Sequence, residues 1–319
     1  MKRIAVLTSG GDAPGMNAAL RAVVRQAIYD GVEVLGVEHG FSGLLQGGFV
    51  PLSLAAVGGI LHRGGTVLFT ARCEEFKSRP GQKKAIARLR EARVDGLVVI
   101  GGDGSFRGAQ ALHDLGFPVV GIPATIDDDI PGTEHAIGFD TAVNTAVGAI
   151  DRIRDTATSH ERIFVIEVMG RDTGHLAVAV GLAAGAESVL IPEYPESLDK
   201  VCWRVKRGRD RGKKHDLIVV AEGASSAYDV ARAIATATGY ETRVTVLGHT
   251  QRGGSPTAYD RTLASQLGAA AVRVLAQGHS AVMVGRQGAE AREVPFSQVV
   301  AARRPLDRRL LDLCHVLAI

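Results

Sequence analysis

The chain has 319 residues, 46% of them hydrophobic, and its 37 basic and 34 acidic side chains leave a formal charge of +3. A single core stops growing near about 250 to 300 residues, so this length predicts two domains. The small charge and an aromatic content of 5% exclude a general nucleic-acid binder or a membrane-surface protein, and any anion site must be local.

Short runs of Val, Ile and Leu recur along the chain and predict strands. They cover residues 3–9, 32–38, 96–102, 118–124, 162–168, 188–193, 216–222, 243–248 and 281–285. Helical periodicity lies between them, at residues 15–29, 83–92, 107–115, 140–155, 175–184, 197–211, 228–238 and 257–276. Most strands are apolar on both faces, as in a parallel sheet covered by helices, so the alternation predicts a doubly wound α/β fold. Ligands of such folds bind beyond the carboxyl ends of the strands.

Glycines follow the first predicted strand. Gly10, Gly11 and Gly15 precede a helix that is predicted to begin near Met16, whose free N–H groups and dipole could hold an anion. The spacing matches neither a dinucleotide-binding G-x-G-x-x-G nor a P-loop. The stretch therefore predicts either a phosphate cradle or a tight structural turn.

The sequence GGDGS follows the strand at 96–102. Gly101, Gly102 and Gly104 would let a ligand approach the backbone, and Ser105 is expected to cap the next helix. Asp103 offers the hard carboxylate oxygen that Mg²⁺ prefers alongside phosphate. The pattern favours a ligand site over a capped turn.

An acidic loop follows the strand at 118–124. In an extended segment, Thr125, Asp127 and Asp129 would point to one side and Asp128 to the other. The loop lies close in sequence to Asp103, which favours a catalytic or metal-binding carboxylate over a solvated surface loop.

Cationic side chains lie near other predicted strand ends and Gly-rich turns, where a guanidinium can grip phosphate with two parallel hydrogen bonds. These residues are Arg72, Arg162, Arg171, Arg243, His249 and Arg252. Combined with the glycines and carboxylates, they predict phosphoryl transfer, which depends mainly on positioning and charge stabilisation.

In chain order, the motifs TSGGDAPGMNA, GGDGS, TIDDDIPGT, IGFDTA, VMGR, VAEG and LGHTQRGGSP resemble those of bacterial ATP-dependent 6-phosphofructokinases over essentially the whole chain. The resemblance implies two doubly wound lobes with mostly parallel sheets, flanking helices and an active site in the cleft between them. It implies a larger lobe of residues 1–138 and 252–305 that binds ATP and Mg²⁺, and a smaller lobe of residues 139–251 and 306–319 that binds the sugar phosphate. The implied reaction is a glycolytic one, in which Mg-ATP phosphorylates the 1-hydroxyl of fructose 6-phosphate.

The resemblance also implies residue roles. Asp127 would take the proton of the sugar hydroxyl, Thr125 would orient the phosphoryl group, and Asp103 would hold Mg²⁺. Arg72 and Arg171 would neutralise charge on the moving group. The implied ATP contacts are Gly11, Arg72, Cys73, Gly102, Asp103, Gly104 and Ser105. The implied sugar-phosphate contacts are Thr125, Asp127, Arg162, Met169, Gly170, Arg171, Glu222, Arg243, His249 and Arg252.

A homotetramer with allosteric control is implied as well. Arg162 would reach into a neighbouring subunit's site, and ADP or phosphoenolpyruvate would bind at a subunit interface. The implied effector residues are Arg21, Arg25, Arg154, Gly185, Glu187, Arg211, Lys213, Lys214 and His215. Without the resemblance, the basic run at 206–215 indicates only a solvated helix end. Gly59, where bacterial members usually carry an acidic residue, and Arg211 in place of Lys depart from the family near this site.

Pyrophosphate-dependent phosphofructokinases are the alternative within the family. They carry Asp at position 104 and Lys at position 124, where this chain has Gly and Ala; Gly104 leaves room for the α-phosphate of ATP, so ATP is the expected donor. Ala124 replaces the usual Gly, and its methyl group is tolerable unless φ must be positive. Asp128 replaces the usual Asn, and its charge would raise the pKa of Asp127 unless a cation offsets it.

Other protein classes fit the sequence less well. Lipid and NAD kinases share a GGDG turn but not the sugar-phosphate set, and a regulatory subunit without activity would not need Asp127. Cys73, Cys202 and Cys314 have no metal-ligand spacing, so we expect neither a zinc site nor a disulfide framework. No signal peptide or membrane span is evident, and we expect a cytoplasmic enzyme that does not bind nucleic acid or membranes.

Overall fold

The computed structural model describes residues 1–160 and 162–318. The chain forms two compact units. The first unit comprises Met1–Thr141 and Arg252–Arg304, and the second comprises Ala142–Gln251 and the chain from Pro305 onward.

The strands are β1 (Arg3–Ser9), β2 (Glu33–Val37), β3 (Phe49–Pro51), β4 (Gly96–Gly101), β5 (Val119–Pro123), β6 (Ile163–Val168), β7 (Ser188–Leu190), β8 (Asp216–Ala221), β9 (Thr242–Val246), β10 (Val282–Gln287) and β11 (Glu290–Pro295). The α-helices are α1 (Met16–Tyr29), α2 (Gly40–Gln46), α3 (Arg79–Glu91), α4 (Asp103–His113), α5 (Phe139–His160), α6 (His175–Ala184), α7 (Leu198–Asp210), α8 (Ala227–Thr238), α9 (Ala258–Ala276), α10 (Phe296–Ala301) and α11 (Arg308–Leu317). Short 3₁₀ helices cover Glu75–Lys77 and Gly248–Arg252.

The first unit is built on a seven-stranded sheet in the order β11-β10-β5-β4-β1-β2-β3. Its five central strands are parallel, and the edge strands β3 and β11 are antiparallel to their neighbours. Strand β4 is buried along its whole length, which explains its continuous apolar sequence. Phe106 of α4 stacks on Phe296 of α10, with ring centroids 5.6 Å apart, inside one of the helical layers.

The second unit is built on a four-stranded parallel sheet in the order β7-β8-β6-β9. Alternate residues of β6 and β8, including Val165 and Val220, form its core with Val201 and Val205 of α7 and Ile234 of α8. All four strands point the same way, so their amino ends share one edge of the sheet and their carboxyl ends share the other.

The predicted fold class, mostly parallel sheets flanked by helices, is confirmed. The buried strands lie within a few residues of their predicted bounds. The sequence analysis did not identify α2, β3, β11, α10 or α11, which are short or peripheral. No helix among residues 1–160 and 162–318 is long and apolar enough to span a membrane.

Candidate functional site

The carboxyl ends of three neighbouring strands carry the predicted catalytic motifs. Ser9 at the end of β1 is in register with Gly101 at the end of β4, and Gly101 is in register with Pro123 at the end of β5. The sheet order reverses between β1 and β4, which is where open α/β sheets bind ligands. The glycine turn, the GGDGS motif and the acidic loop therefore follow adjacent strand ends at one edge of the sheet.

The glycine turn after β1 contacts the guanidinium group of Arg252. Arg252 Nη1 donates to the Asp12 carbonyl at 3.3 Å, and a Cβ on Gly11 would lie only 2.5 Å from the same Nη1 atom. Gly10 has a φ of 87°, and its carbonyl accepts a hydrogen bond from Thr70 Oγ1 at 2.7 Å. The left-handed backbone at Gly10 favours glycine there, and the absence of a side chain at Gly11 lets the guanidinium pack against the backbone.

The Thr70 contact ties the segment that carries Arg72 and Cys73 to this turn. Arg72 is exposed, and Cys73 is half-buried against the core beneath it. The two predicted ATP contacts thus lie two and three residues after Thr70, which is hydrogen-bonded to the glycine turn.

Helix α4 begins at Asp103, four residues earlier than the periodicity predicts, with Gly102 as the N-cap residue. The prediction that Ser105 caps this helix is therefore wrong: Ser105 lies inside the first turn, and its buried hydroxyl has no hydrogen-bond partner in the described part of the chain. Asp103 lies at the positive end of the helix dipole, and its carboxylate pairs with Arg107 at 3.0 Å. An ideal Cβ on Gly104 would meet no atom within 4 Å, so open space adjoins the turn.

The acidic loop after β5 is buried, with Asp127, Asp128 and Asp129 exposed by only 1%, 2% and 8%. Thr125 lies beside the GGDGS turn, since its Cβ is 3.9 Å from the position a Cβ would take on Gly102. The Asp127 amide donates to Thr125 Oγ1 at 3.2 Å. The loop is not the extended segment predicted, because the backbone bends after Thr125 and Asp128 has a φ of 52°.

Asp128 is compensated by a cation, which was the condition left open by the sequence. Its carboxylate accepts hydrogen bonds from the Ala136 amide at 2.8 Å and from Arg304, and His135 Nδ1 lies 3.3 Å away. Ala124 pairs with Ile137 in a β-bridge and does not have positive φ, so the local backbone accommodates its methyl group.

In the second unit, one group of predicted substrate contacts lies beyond the carboxyl ends of the strands. Met169, Gly170 and Arg171 follow β6, Glu222 follows β8, and His249 follows β9. Glu222 Oε1 accepts the amides of Gly170 at 3.2 Å and Arg171 at 2.7 Å, so it orders the turn after β6.

Arg162 and Arg243 lie at the opposite edge of the same sheet. Arg162 precedes β6 and Arg243 is the second residue of β9, whereas a six-residue strand spans about 20 Å. Arg162 Nε is 2.9 Å from Glu241 Oε2, and Arg243 pairs with the other oxygen of the same carboxylate. The hydrogen bond from Arg162 lowers the pKa of Glu241 below its usual value. Arg243 therefore groups with Arg162 and not with Glu222 and His249.

Several predicted effector residues also lie at this amino edge. A cavity of about 610 Å³ is lined by Glu187, Arg207, Arg211, Lys213 and Asp216, among others, and none of the predicted catalytic residues lines it. The Lys213 ammonium is 2.7 Å from the Glu187 carboxylate.

The flanking residues of this edge are also held in place. Arg154 donates to the Ala184 carbonyl beside Gly185, and burial lowers the pKa of His215. Lys214 lies in the same turn, before β8. Arg21 and Arg25 lie on α1 of the first unit.

The donor set at the edge of the first sheet fits Mg²⁺ only in combination with phosphate. Within residues 1–160 and 162–318, no three or more His, Cys, Asp or Glu side chains cluster as a metal centre. Mg²⁺ is commonly held by one or two carboxylates together with substrate phosphates and water. Asp103 beside open space at Gly104 fits that mode.

Sequence reasoning missed the contacts that support the site from a distance. Arg304 is 176 residues from Asp128, and the sequence offers no signal that joins them. Asp260 was missed as well. Its buried carboxylate accepts the Gly138 amide at 3.0 Å and the Thr141 amide at 2.9 Å, and so caps the start of α5 from α9.

Known proteins resemble the chain along its whole length. A family model described as phosphofructokinase matches residues 3–275. A relative from Halalkalibacterium halodurans, named ATP-dependent 6-phosphofructokinase, is 57% identical over 319 residues and is covered completely, as is this chain.

Solved structures agree with this match. The T-state structure of phosphofructokinase from Pichia pastoris superposes with a TM-score of 0.89 at 37% identity over 94% of this chain, which spans 35% of that longer chain. A pyrophosphate-dependent phosphofructokinase from Marinobacter aquaeolei has a TM-score of 0.86 and 24% identity, covering 98% of this chain and 91% of that one, which is a likeness of fold alone. Since the family model spans most of the chain and a full-length relative shares more than half of its residues, the chain belongs to the phosphofructokinase family.

Proposed function

We propose that this protein transfers the γ-phosphoryl group of Mg-ATP to the 1-hydroxyl of fructose 6-phosphate, giving fructose 1,6-bisphosphate and ADP. The observation that carries the proposal is the register of β1, β4 and β5, whose ends bring the glycine turn, Asp103 and the Thr125–Asp127 segment to one edge of a sheet. Phosphoryl transfer needs a phosphate cradle, a metal carboxylate and a base in this proximity. The 57% identity to a relative named for this activity supports the same conclusion.

Asp127 is the base in this proposal. Its carboxylate takes the proton of the sugar's 1-hydroxyl as that oxygen bonds to the γ-phosphorus and the bond from phosphorus to the β,γ-bridging oxygen breaks. Thr125, whose Oγ1 accepts the Asp127 amide, orients the phosphoryl oxygens. The N-terminal amides of α4 and the guanidinium groups of Arg72 and Arg171 stabilise charge on the transferring group.

Asp103 would hold Mg²⁺ together with phosphate oxygens of the nucleotide. The metal would neutralise phosphate charge and help to orient the nucleotide. Gly11, Arg72, Cys73, Gly102, Gly104 and Ser105 surround the ATP. The sugar phosphate is bound by Met169, Gly170, Arg171, Glu222, His249 and Arg252 together with Arg162 and Arg243.

ATP is the donor in preference to pyrophosphate. No atom lies within 4 Å of the position that a Cβ on Gly104 would occupy, which leaves room for the α-phosphate. The pyrophosphate-dependent structures that resemble this chain are only 24% identical to it.

The active unit is a homotetramer regulated by ADP or phosphoenolpyruvate. Arg162 and Arg243 lie at the strand edge opposite to Glu222 and His249, which supports a role for both arginines in a neighbouring subunit's site. The cavity beside Glu187, Arg211 and Lys213 supports an anion-binding effector site. Arg21, Arg25, Arg154, Gly185, Lys214 and His215 complete the proposed set of effector residues.

The proposal is tested by measuring turnover of fructose 6-phosphate with Mg²⁺ and either ATP or pyrophosphate, in the native protein and in Asp127→Ser. We expect turnover with ATP and none with pyrophosphate alone. A general base contributes roughly 10²- to 10⁴-fold, so Asp127→Ser should lower kcat by at least about 100-fold while nucleotide affinity stays unchanged. Activity with pyrophosphate alone would refute the donor assignment, and near-native turnover in Asp127→Ser would refute the base.

A further inference from the structure

We propose that Arg304 is a positioning residue for the loop that carries Asp127, and that it acts through its ion pair with Asp128. The inference rests on the proposed role of Asp127 as the base. It assigns a function to the segment after α10, which none of the sequence motifs includes.

Arg304 holds the acidic loop at two points. Its guanidinium Nη1 donates to Asp128 Oδ2, and its backbone amide donates to the Asp129 carbonyl at 2.9 Å. Asp128 is only 2% exposed, and its other oxygen accepts the Ala136 amide at 2.8 Å. The carboxylate that follows the base is thus fixed from both sides.

The backbone at Asp128 explains why such anchoring matters. Its φ of 52° lies in the left-handed region, which residues with a Cβ adopt at a cost in energy. The backbone bends at Ile126 and Asp127, directly before Asp128, so the direction of the Asp127 side chain depends on this turn. The contacts of Asp128 with Arg304 and Ala136 hold the turn in place.

Charge gives the ion pair a second effect on the base. An uncompensated carboxylate next to Asp127 would disfavour the ionised form that accepts a proton. A guanidinium remains protonated at any working pH, so Arg304 compensates Asp128 permanently. His135 Nδ1 lies 3.3 Å from the Asp128 carboxylate, and the His135 side chain is half exposed. The His135 ring packs edge-on against the Tyr259 ring, with centroids 5.9 Å apart. The Arg286 guanidinium lies over the Tyr259 ring. Asp140 and Asp260 are the other acidic groups whose charges act on Tyr259.

The test compares native protein, Arg304→Met, Asp128→Asn and the double variant by kcat, KM and the pH dependence of kcat/KM. In Arg304→Met we expect kcat to fall about 10-fold with KM for ATP unchanged, and the acid limb of the profile to move up by about one pH unit. In Asp128→Asn the limb should move down, because the guanidinium then lacks its partner. In the double variant the limb should return close to its native position. Arg292→Met, at an exposed Arg of β11, is the matched control and should leave kcat, KM and the acid limb unchanged.

Amide hydrogen exchange of the peptide covering residues 125–136 provides a readout that does not depend on activity. We expect exchange in this peptide to be at least about ten times faster in Arg304→Met than in the native protein and in Arg292→Met. Unchanged exchange would overturn the anchoring role. A kcat loss with an unmoved acid limb, or a double variant whose limb stays at the Arg304→Met position, would overturn the action through Asp128. Failure of the proposed function itself would be recognised separately, by near-native turnover in Asp127→Ser.

Discussion

In the proposed ATP site, the choice of phosphoryl donor depends on a single position, Gly104. It is the second residue of α4, and the space beside it is open. A carboxylate there would occupy the room left for the α-phosphate and would repel it. An acidic residue in the first turn of a helix is favourable for folding, so a substitution by Asp should leave the fold intact.

We therefore expect Gly104→Asp to lower kcat/KM for ATP by about 100-fold, which corresponds to about 2.7 kcal/mol. The KM for fructose 6-phosphate should change little. Gly104→Ala is the control, since a methyl group placed in open space should leave kcat/KM for ATP within about three-fold of the native value. Equal losses in the two variants, measured by steady-state kinetics, would contradict the argument from charge and space.

At the scale of elements, Asp216 at the start of β8 is the group through which stability should respond to pH. It is 1% exposed. Burial, and next the charge of Glu187, raise its pKa from 3.8 to about 6, although Lys213 and Arg209 act in the opposite direction. The Lys213 ammonium and the Arg209 Nε each lie 3.9 Å from its carboxylate. These contacts are too long to compensate fully for the hydration that the Asp216 carboxylate loses on burial.

The raised pKa fixes the sign of the pH dependence. The folded chain binds the Asp216 proton more tightly than the unfolded chain, so this stabilisation is present below about pH 4 and is lost as the pH rises through about 6. A shift of this size corresponds to about 3 kcal/mol. We expect the difference in free energy of unfolding, Asp216→Asn minus native protein, to increase by up to about 3 kcal/mol between about pH 4 and pH 6. Above about pH 6 the difference should level off.

Urea unfolding of both proteins from pH 4 to pH 8, at one protein concentration, measures this difference. Asp229→Asn, at an exposed position in the first turn of α8, is the control for removal of a carboxylate charge from the surface of the same unit. A difference for Asp216→Asn that does not change with pH would show that the Asp216 carboxylate titrates normally in the folded state.

At the scale of the whole molecule, the position of Arg162 beside Arg243 predicts which pairs of inactive variants should restore activity when their chains are refolded together. We expect a solution mass corresponding to four chains of 33.5 kDa. If both arginines act in a neighbouring subunit's site, then Asp127→Ser and Arg162→Ser, each inactive alone, should regain activity when they are unfolded, mixed and refolded together. Asp127→Ser and Arg243→Ser should do the same, because each mixed pair rebuilds some complete sites.

Arg162→Ser mixed with Arg243→Ser should not regain activity, since every site would lack one of the two cations. Recovery in that mixture, measured as turnover of fructose 6-phosphate after refolding, would mean that Arg243 acts within its own chain. The Glu241 carboxylate that holds both guanidinium groups would then have only a structural role.

The sequence predicted most reliably where a local pattern is enough. Continuous apolar runs such as residues 96–101 predict buried strands, and glycines or carboxylates directly after them predict ligand sites, because both signals lie within a few neighbouring residues. The start of α4 was missed by four residues because polar residues at a helix N-terminus have no apolar period. The antiparallel edge strand β11 was missed because it is exposed at most of its positions.

The sequence by itself determined the fold class and the family and predicted the residues proposed for the chemistry, because these follow from local patterns and from motifs in a fixed order. Only the tertiary structure decided which side chains meet. Pairing of β1, β4 and β5 aligns three distant motifs, Arg304 reaches Asp128 across 176 residues, and parallel strands send Arg162 and Arg243 to the edge opposite Glu222. These contacts depend on strand order and packing, which no single stretch of sequence encodes.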